Sequence, residues 1–173
     1  PWSEAYVVAE TPDQGGFIVA GTQTVDTRTY SLIILKLNSE GHQVWSKMLS
    51  SVEGYAAAAG GLHFTTDGHV LVSACSKGTW IAKVSIDTGD VIWANNFGGK
   101  TTSVLNIPAC SMTAVVGTAE RGGVDDGNVI LTGAAADGTF VVTELNASSG
   151  EPIWSTAIGS EPTLMRTSPL TTL

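Results

Sequence analysis

Residues 84–93 read VSIDTGDVIW, and two further stretches of the chain repeat the pattern, KLNSEGHQVW at 36–45 and ELNASSGEPIW at 144–154. In each stretch an apolar run leads to a glycine, and a tryptophan lies four residues after that glycine. The pairs are Gly41 and Trp45, Gly89 and Trp93, and Gly150 and Trp154. Glycine adopts positive φ without steric cost, so it suits a tight turn between two strands. A pattern that occurs three times predicts a repeat protein.

Each glycine–tryptophan pair belongs to the end of a longer unit of four predicted strands. The second strand follows a glycine turn, and its copies are QGGFIVAGT at 14–22, DGHVLVSAC at 67–75 and DGNVILTGA at 126–134. The copies of the third strand are SLIILKL at 31–37, TWIAKVSI at 79–86 and TFVVTEL at 139–145. The fourth strand contains the tryptophan, in HQVWSKMLSS at 42–51, DVIWANNFGG at 90–99 and EPIWSTAIGS at 151–160. The copies of the first strand are predicted at 5–11, 57–66 and 113–120, and the copy at 57–66 has the weakest signal.

The four-stranded unit recurs at a spacing of about 50–60 residues, which is typical of the blades of a β-propeller. Its strands are apolar on both faces, as expected when each sheet packs between two neighbours. We therefore predict an all-β chain of three four-stranded antiparallel propeller blades, an incomplete or half propeller, with no significant helix. The predicted repeats are about 5–51, 56–99 and 112–160, which form one domain over 1–160, followed by a Ser/Thr/Pro-rich tail or linker at 161–173.

The repeated tryptophan has two interpretations, packing and ligand stacking. A large ring at one fixed place in every blade can bury against the next sheet, which would make the glycine and the tryptophan structural repeat positions. A ligand-stacking role does not require the same residue in every repeat. We therefore favour packing.

Two groups of propeller proteins resemble this sequence. AKVSIDTGDVIW at 82–93 resembles the tryptophan-docking repeat of the quinoprotein (PQQ-type) propellers. DQGGFIVAGT at 13–22, followed by LIILKLNSEGHQVWSK at 32–47, is similar to the bacterial β-propeller repeats of surface and secreted proteins. The resemblance covers residues 5–160 and implies a propeller with no chemistry built into the repeat. Because fold does not determine function, it indicates little about activity.

The resemblance also implies what a quinoprotein enzyme should contain, namely cofactor and calcium ligands and, typically, an adjacent pair of cysteines. This sequence has no Cys-Cys pair and no comparable acidic cluster. We therefore expect no cofactor, no metal ligand and no catalytic residue, and we expect that the chain is not an enzyme. A fragment of a quinoprotein-like enzyme is the least favoured alternative.

The composition argues against nucleic acids as partners and against a membrane span. Acidic residues outnumber basic ones by 16 to 8 and the basic residues are scattered, so we expect no nucleic-acid binding. The longest aliphatic run covers only 32–35, far short of the roughly 20 residues that a membrane-spanning helix needs. Few charges and many Ser, Thr and Gly residues suit an extracellular or cell-surface protein. Because the sequence starts at Pro1 without a leader, we expect a processed chain or an excerpt of a longer one.

The sequence has candidate sites for a disulfide and for glycosylation. Cys75 and Cys110 are the two cysteines, and either one disulfide or two inert buried thiols would account for them. Asn146 begins the N-glycosylation sequon Asn-Ala-Ser in a predicted turn, so it is a candidate acceptor. Candidate acceptors of O-linked sugars are Thr163, Thr167, Ser168, Thr171 and Thr172.

Three blades are fewer than the roughly four to eight of closed propellers, so the outer predicted sheets each have an open face. Open apolar faces favour association. The segments 100–112 and 161–173 are equally long, so head-to-tail joining of two copies would nearly keep the register of the repeat. We therefore expect the partners to be further copies, in a six-bladed ring or an open filament, or flanking propeller blades.

Two functional interpretations follow from a propeller with open faces. We favour a non-enzymatic scaffold or interaction module that associates head-to-tail. The alternative is a carbohydrate- or ligand-binding propeller, or an adhesion propeller, with glycans as partners bound on one set of loops or in a central channel.

Overall fold

The structure, a computed structural model of the chain, describes residues 3–24, 30–49, 58–75, 79–97, 114–117, 128–134 and 140–158. These residues form twelve β-strands and no helix, and the strands pair into three four-stranded antiparallel sheets that each follow the chain order. Blade 1 consists of β1 (Ser3–Glu10), β2 (Gly16–Thr24), β3 (Tyr30–Asn38) and β4 (Gln43–Leu49). Blade 2 consists of β5 (Ala58–Phe64), β6 (His69–Cys75), β7 (Thr79–Ser85) and β8 (Val91–Phe97). Blade 3 consists of β9 (Ala114–Gly117), β10 (Val129–Ala134), β11 (Phe140–Leu145) and β12 (Pro152–Ile158).

This architecture confirms the predicted fold class of three four-stranded antiparallel blades. Some strand bounds differ from the predicted ones by a few residues. β1 starts two residues before the predicted segment 5–11, because Ser3 and Glu4 continue the pairing with β2. It ends before Thr11, whose backbone N–H donates to Gly16 O at 2.9 Å and so closes the turn between β1 and β2.

The register between the third and fourth strands is the same in every blade. Each tryptophan lies opposite the same position of the third strand, and a bulge follows that pair. The pairs are Lys36 with Trp45, Lys83 with Trp93, and Glu144 with Trp154. Because cross-strand partners project from the same face of a sheet, the three tryptophans occupy equivalent places on equivalent faces.

The core lies in the two spaces between neighbouring blades, because alternate residues of a strand point to opposite faces of its sheet. Between blades 1 and 2 the buried cluster consists of Ile18, Ala20, Leu32, Ile34, Leu49, Val70, Val72, Ala74, Ala82, Val84 and Ile86. Between blades 2 and 3 it consists of Leu71, Ile81, Trp93, Phe97, Val129, Leu131 and Leu145. Blade 2 is therefore covered on both faces, and each valine, leucine or isoleucine side chain buried there contributes about 1.5–3 kcal/mol.

Blade 1 and blade 3 each have one face that no other described blade covers. We call the face of blade 1 that points away from blade 2 the leading face, and the face of blade 3 that points away from blade 2 the trailing face. Phe17 on the leading face is half-buried, whereas Val70, at the same position of blade 2, is fully buried. Met48 on the leading face is 51% exposed and Ile158 on the trailing face is 55% exposed. Two apolar sheet faces are thus open at opposite ends of the stack.

Candidate functional site

The contact between blades 1 and 2 is built around Trp45. Its indole Nε1 donates a hydrogen bond to the backbone oxygen of Ile86, 3.0 Å away in the turn that follows β7. Its ring lies so close to Gly89 that a Cβ on this glycine would be 2.8 Å from Trp45 Cε3. Two residues after the tryptophan, Lys47 Nζ lies 3.1 Å from Asp90 Oδ1. The fourth strand of blade 1 therefore holds the glycine turn of blade 2 by a ring contact and two polar contacts.

The contact between blades 2 and 3 repeats this geometry. Trp93 Nε1 donates to the backbone oxygen of Ala147 at 2.9 Å, and a Cβ on Gly150 would lie 2.5 Å from Trp93 Cε3. Asn95, two residues after the tryptophan, donates through Nδ2 to the backbone oxygen of Ser149 at 3.4 Å. We call this arrangement, a tryptophan strand on the glycine turn of the next blade, a docking seam.

The glycine of a docking seam meets two requirements at once. Gly89 and Gly150 have φ of +74° and +72°, a conformation that residues with a Cβ rarely adopt. In both turns the glycine N–H donates four residues back, to Ser85 O at 2.9 Å and to Asn146 O at 2.8 Å. The turn conformation needs the positive φ, and the tryptophan ring of the preceding blade needs the missing Cβ. Sequence reasoning identified the first requirement and missed the second.

Lys83 adds a buried charge to the seam between blades 2 and 3. Its side chain is 4% exposed, and its ammonium group donates to the Asp67 carboxylate and, at 3.1 Å, to the backbone oxygen of Ala147. Lys83 and Trp93 therefore converge on the same carbonyl of the next blade. Sequence reasoning missed this residue because only the stacking of two blades brings 83 and 147 together.

The ion pair of Asp67 with Lys83 predicts a contribution to stability that depends on pH. Partial burial acts to raise the pKa of Asp67, but hydrogen bonds from Lys83 and Thr65 outweigh burial and hold that pKa below its ordinary value. A carboxyl group whose pKa is lower in the folded chain stabilises the fold above its ordinary pKa of about 4 and loses this effect as the pH falls further. Because half of the Asp67 side chain is exposed, we expect Asp67→Asn to cost only about 1 kcal/mol at neutral pH.

Urea unfolding at pH 7 and pH 3 measures this contribution. Wild type should lose more stability between the two pH values than Asp67→Asn does. Asp87→Asn, which changes an exposed carboxylate in the same blade, is the matched control and should follow wild type. Equal pH dependence of Asp67→Asn and wild type would show that the ion pair contributes nothing.

Trp154 occupies the same repeat position on the trailing face, where no further turn is described. Its indole N–H donates instead to Oε2 of Glu144, in its own blade. Glu144 is buried and also accepts a hydrogen bond from Asn128 Nδ2 at 3.0 Å. Thr156 and Ile158 stand at the positions that Asn95 and Phe97 hold in blade 2. The trailing face thus presents the tryptophan half of a docking seam.

The turn of blade 1 offers the other half. Gly41 has φ of +82°, and a Cβ on it would have no neighbouring atom within 4 Å, so no ring packs on this glycine. The turn is one residue shorter than the turns of the two seams, and its glycine N–H donates three residues back, to Asn38 O at 3.0 Å. His42 follows the glycine, with Nδ1 at 3.3 Å from Glu40 Oε2.

The other predicted sites are only partly described. Asn146 lies exposed in the turn before β12, and its glycosylation stays a prediction. Cys110 and the tail positions from Thr163 to Thr172 lie outside the described residues, so the disulfide with Cys75 and the O-linked sugars also stay predictions. Within the described ranges no group of three or more His, Cys, Asp and Glu side chains is placed to hold a metal ion. Nor does any helix there have the length and apolarity to cross a membrane.

Comparisons with known proteins identify the kind of propeller. A family model described as outer membrane protein assembly factor BamB matches residues 77–172, more than half of the chain. No curated protein matches the sequence. A crystal structure of a protein of unknown function from Bacteroides caccae is 14% identical, with a TM-score of 0.48 over 88% of this chain and 60% of that one.

The crystal structure of BamB from Moraxella catarrhalis is 22% identical, with a TM-score of 0.45 over 87% of this chain and 38% of that one. The chain therefore spans less than two thirds of the length of either structure. The family match includes the complete seam from Trp93 to the turn at Gly150. The predicted resemblance to the PQQ-type propellers is thus confirmed, and the chain belongs to the family of the outer membrane protein assembly factor BamB.

Proposed function

We propose that this chain is a non-enzymatic β-propeller scaffold that lies at the cell surface or outside the cell and associates head-to-tail with further copies of itself. One observation supports the association above all others. The two halves of a docking seam are both present without a neighbouring blade among the described residues, and they lie at opposite ends of the stack.

The exposure of equivalent side chains supports the use of the trailing face for docking. Leu49 and Phe97, four residues after the tryptophans of the two seams, are 8% and 6% exposed, whereas Ile158 at the same position is 55% exposed. A side chain that is buried in every seam and open only at the end indicates a surface made for contact with another blade.

The two open faces differ, and this difference gives the association a direction. The trailing face carries the tryptophan half of a seam and the leading face carries the glycine-turn half, so neither face complements itself. A contact between two different patches is heterologous and produces a ring if the rotation closes and a filament if it does not. Head-to-tail addition is therefore favoured over a symmetric dimer.

The non-enzymatic part of the proposal is supported by how the repeat positions are used. The tryptophan, the glycine, Lys83 and Asn95 all make contacts between blades, and such contacts hold sheets together rather than bind a substrate. The matching family is described as an outer membrane protein assembly factor, a description that names no reaction. Labelling of lysines on intact cells with a membrane-impermeant reagent tests the proposed location, and absence of label there, with labelling after lysis, would contradict it.

Single aspartates on the two faces test the association. Ile158→Asp on the trailing face and Met48→Asp on the leading face should each weaken self-association at least about tenfold, because docking would bury an unpaired charge. A mixture of the two variants should form one heterodimer and nothing larger, since one variant keeps an intact leading face and the other an intact trailing face. Sedimentation velocity at several concentrations measures all three samples.

The matched control is Ile92→Asp in the middle blade. Ile92 is 46% exposed on β8 and lies on neither open face, so this change should leave the association of wild type intact. A wild-type chain that stays monomeric at every concentration would overturn the proposal and show that another occupant covers both faces. Dimers of Ile158→Asp alone would show that equal faces pair, which contradicts the head-to-tail direction.

A further inference from the structure

One repeat position has a basic side chain in blades 1 and 2 and an acidic side chain in blade 3. It carries Lys36 in blade 1, Lys83 in blade 2 and Glu144 in blade 3, each opposite the tryptophan of its blade. In the seam between blades 2 and 3 the lysine donates to the turn carbonyl of the next blade, beside the indole N–H. A carboxylate at this position accepts hydrogen bonds and cannot donate one to a carbonyl.

Glu144 also removes the indole donor that both seams contain. It accepts the indole N–H of Trp154, whereas Trp45 and Trp93 donate their indole N–H across the seams to the next blade. A glycine turn that arrived at the trailing face would therefore meet no free indole donor, and its carbonyl oxygen would face a carboxylate. Two acceptors brought together and buried without a donor oppose docking.

We infer that Glu144 prevents a complete docking seam from forming on the trailing face, so that a second copy of this chain docks there only by apolar contact, weakly and reversibly. The inference rests on the proposed self-association. The partner is the leading face of another copy. In both seams the tryptophan strand of one blade contacts the glycine turn of the following blade, and the leading face carries such a turn. The ring of Trp154 and the side chain of Ile158 supply the apolar contact. The hydrogen bonds that the lysine and the indole make in the seam between blades 2 and 3 do not form.

Glu144→Lys tests this inference, since Lys36 and Lys83 at the same position of blades 1 and 2 show that it accommodates a lysine. The variant frees the Trp154 indole and supplies a second donor, so its dissociation constant for self-association should fall about tenfold or more below that of wild type. Glu144→Met, which frees the indole without adding a charge, should act in the same direction and more weakly. Sedimentation equilibrium measures the constants.

Two controls separate this mechanism from general effects of charge. The chain carries a net charge of −8, so any added lysine reduces repulsion between copies. Asp87→Lys makes the same change on the exposed turn of blade 2 and should stay close to wild type. In the background of Trp154→Phe, which keeps a ring but has no N–H, the gain from Glu144→Lys should shrink, because one of the two new hydrogen bonds is absent.

The indole resonances give a second readout. In ¹H–¹⁵N spectra the indole signal of Trp154 should shift further with concentration in Glu144→Lys than in wild type, because only the variant changes the hydrogen-bond partner of the indole N–H when copies associate. Association of wild type, Glu144→Lys and Asp87→Lys with equal constants would overturn the inference and leave the proposed function standing. Monomers in every sample would overturn both. Association of Glu144→Lys alone would overturn the weak docking proposed for wild type and would show that Glu144 prevents docking altogether.

Discussion

Trp93→Ala is expected to lower the free energy of unfolding by about 4 kcal/mol, because it removes a buried aromatic side chain and a hydrogen bond across a seam. The Trp93 ring belongs to the buried cluster between blades 2 and 3, and its Nε1 bonds to the oxygen of Ala147. The cavity left by the ring would lie between two sheets and could not close without moving one of them. Urea unfolding followed by circular dichroism measures the loss.

The same substitution at Trp154 is the matched control. Trp154 holds the equivalent repeat position, but it is only half-buried and its indole bonds within its own blade. We expect Trp154→Ala to cost about 2 kcal/mol, half of the effect at Trp93. Both variants should be measured at concentrations below the onset of association. Docking of a second copy onto Trp154 would otherwise add to the free energy of unfolding of the chain. Equal costs at the two positions would contradict a packing role that depends on the next blade.

The positions of the strands and of the tryptophans could be predicted from the sequence because they depend on local signals. Glycine turns and apolar runs recur within each unit, and pairing in chain order places every tryptophan opposite the same residue of the third strand. The first strands were the least predictable part. β5 contains alanine and glycine, whose side chains give little apolar periodicity, and its pairing with β6 is interrupted by a bulge.

The polar half of the docking seam could not be predicted, because its partners lie far apart in the chain. The indole of Trp45 reaches Ile86 and the indole of Trp93 reaches Ala147, and only the stacking of blades brings these residues together. The exchange of Lys83 for Glu144 is visible in an alignment of the three units. The consequence of this exchange could not be predicted, because the alignment does not show that the side chain at this position reaches the turn of the next blade.

The short turn of blade 1 could likewise be predicted from the sequence only in part. Its missing residue can be counted in the sequence, since KLNSEGHQVW lacks one position relative to ELNASSGEPIW between the strand and the glycine. The consequence requires the structure, which shows that Gly41 N–H bonds three residues back and that no ring covers this glycine. The leading and trailing ends therefore both depart from the inner pattern, and both departures concern the atoms that form a docking seam.

Gly150→Ala and Gly89→Ala are expected to destabilise the fold by about 3 kcal/mol each, of which the positive φ accounts for about 1 kcal/mol and the collision with a tryptophan ring for the remainder. A Cβ on Gly150 would come within 2.5 Å of Trp93, and one on Gly89 within 2.8 Å of Trp45. A rigid ring that is held by its own hydrogen bond cannot move aside without losing that bond. The two sheets must separate instead, so the cost falls on the whole seam.

Gly41 and Gly68 provide the control for backbone strain. Both have φ near +80°, and a Cβ on either would have no neighbour within 4 Å, so replacement by alanine should cost about 1 kcal/mol, the strain alone. The difference between the two pairs of glycines, measured by urea unfolding, isolates the ring contact. In Trp93→Leu, where the aromatic ring is absent, the extra cost of Gly150→Ala should largely disappear, because a smaller and more flexible side chain leaves room for the Cβ. Equal costs for all four alanine substitutions would show that the glycines serve only their turns and that the rings do not need them.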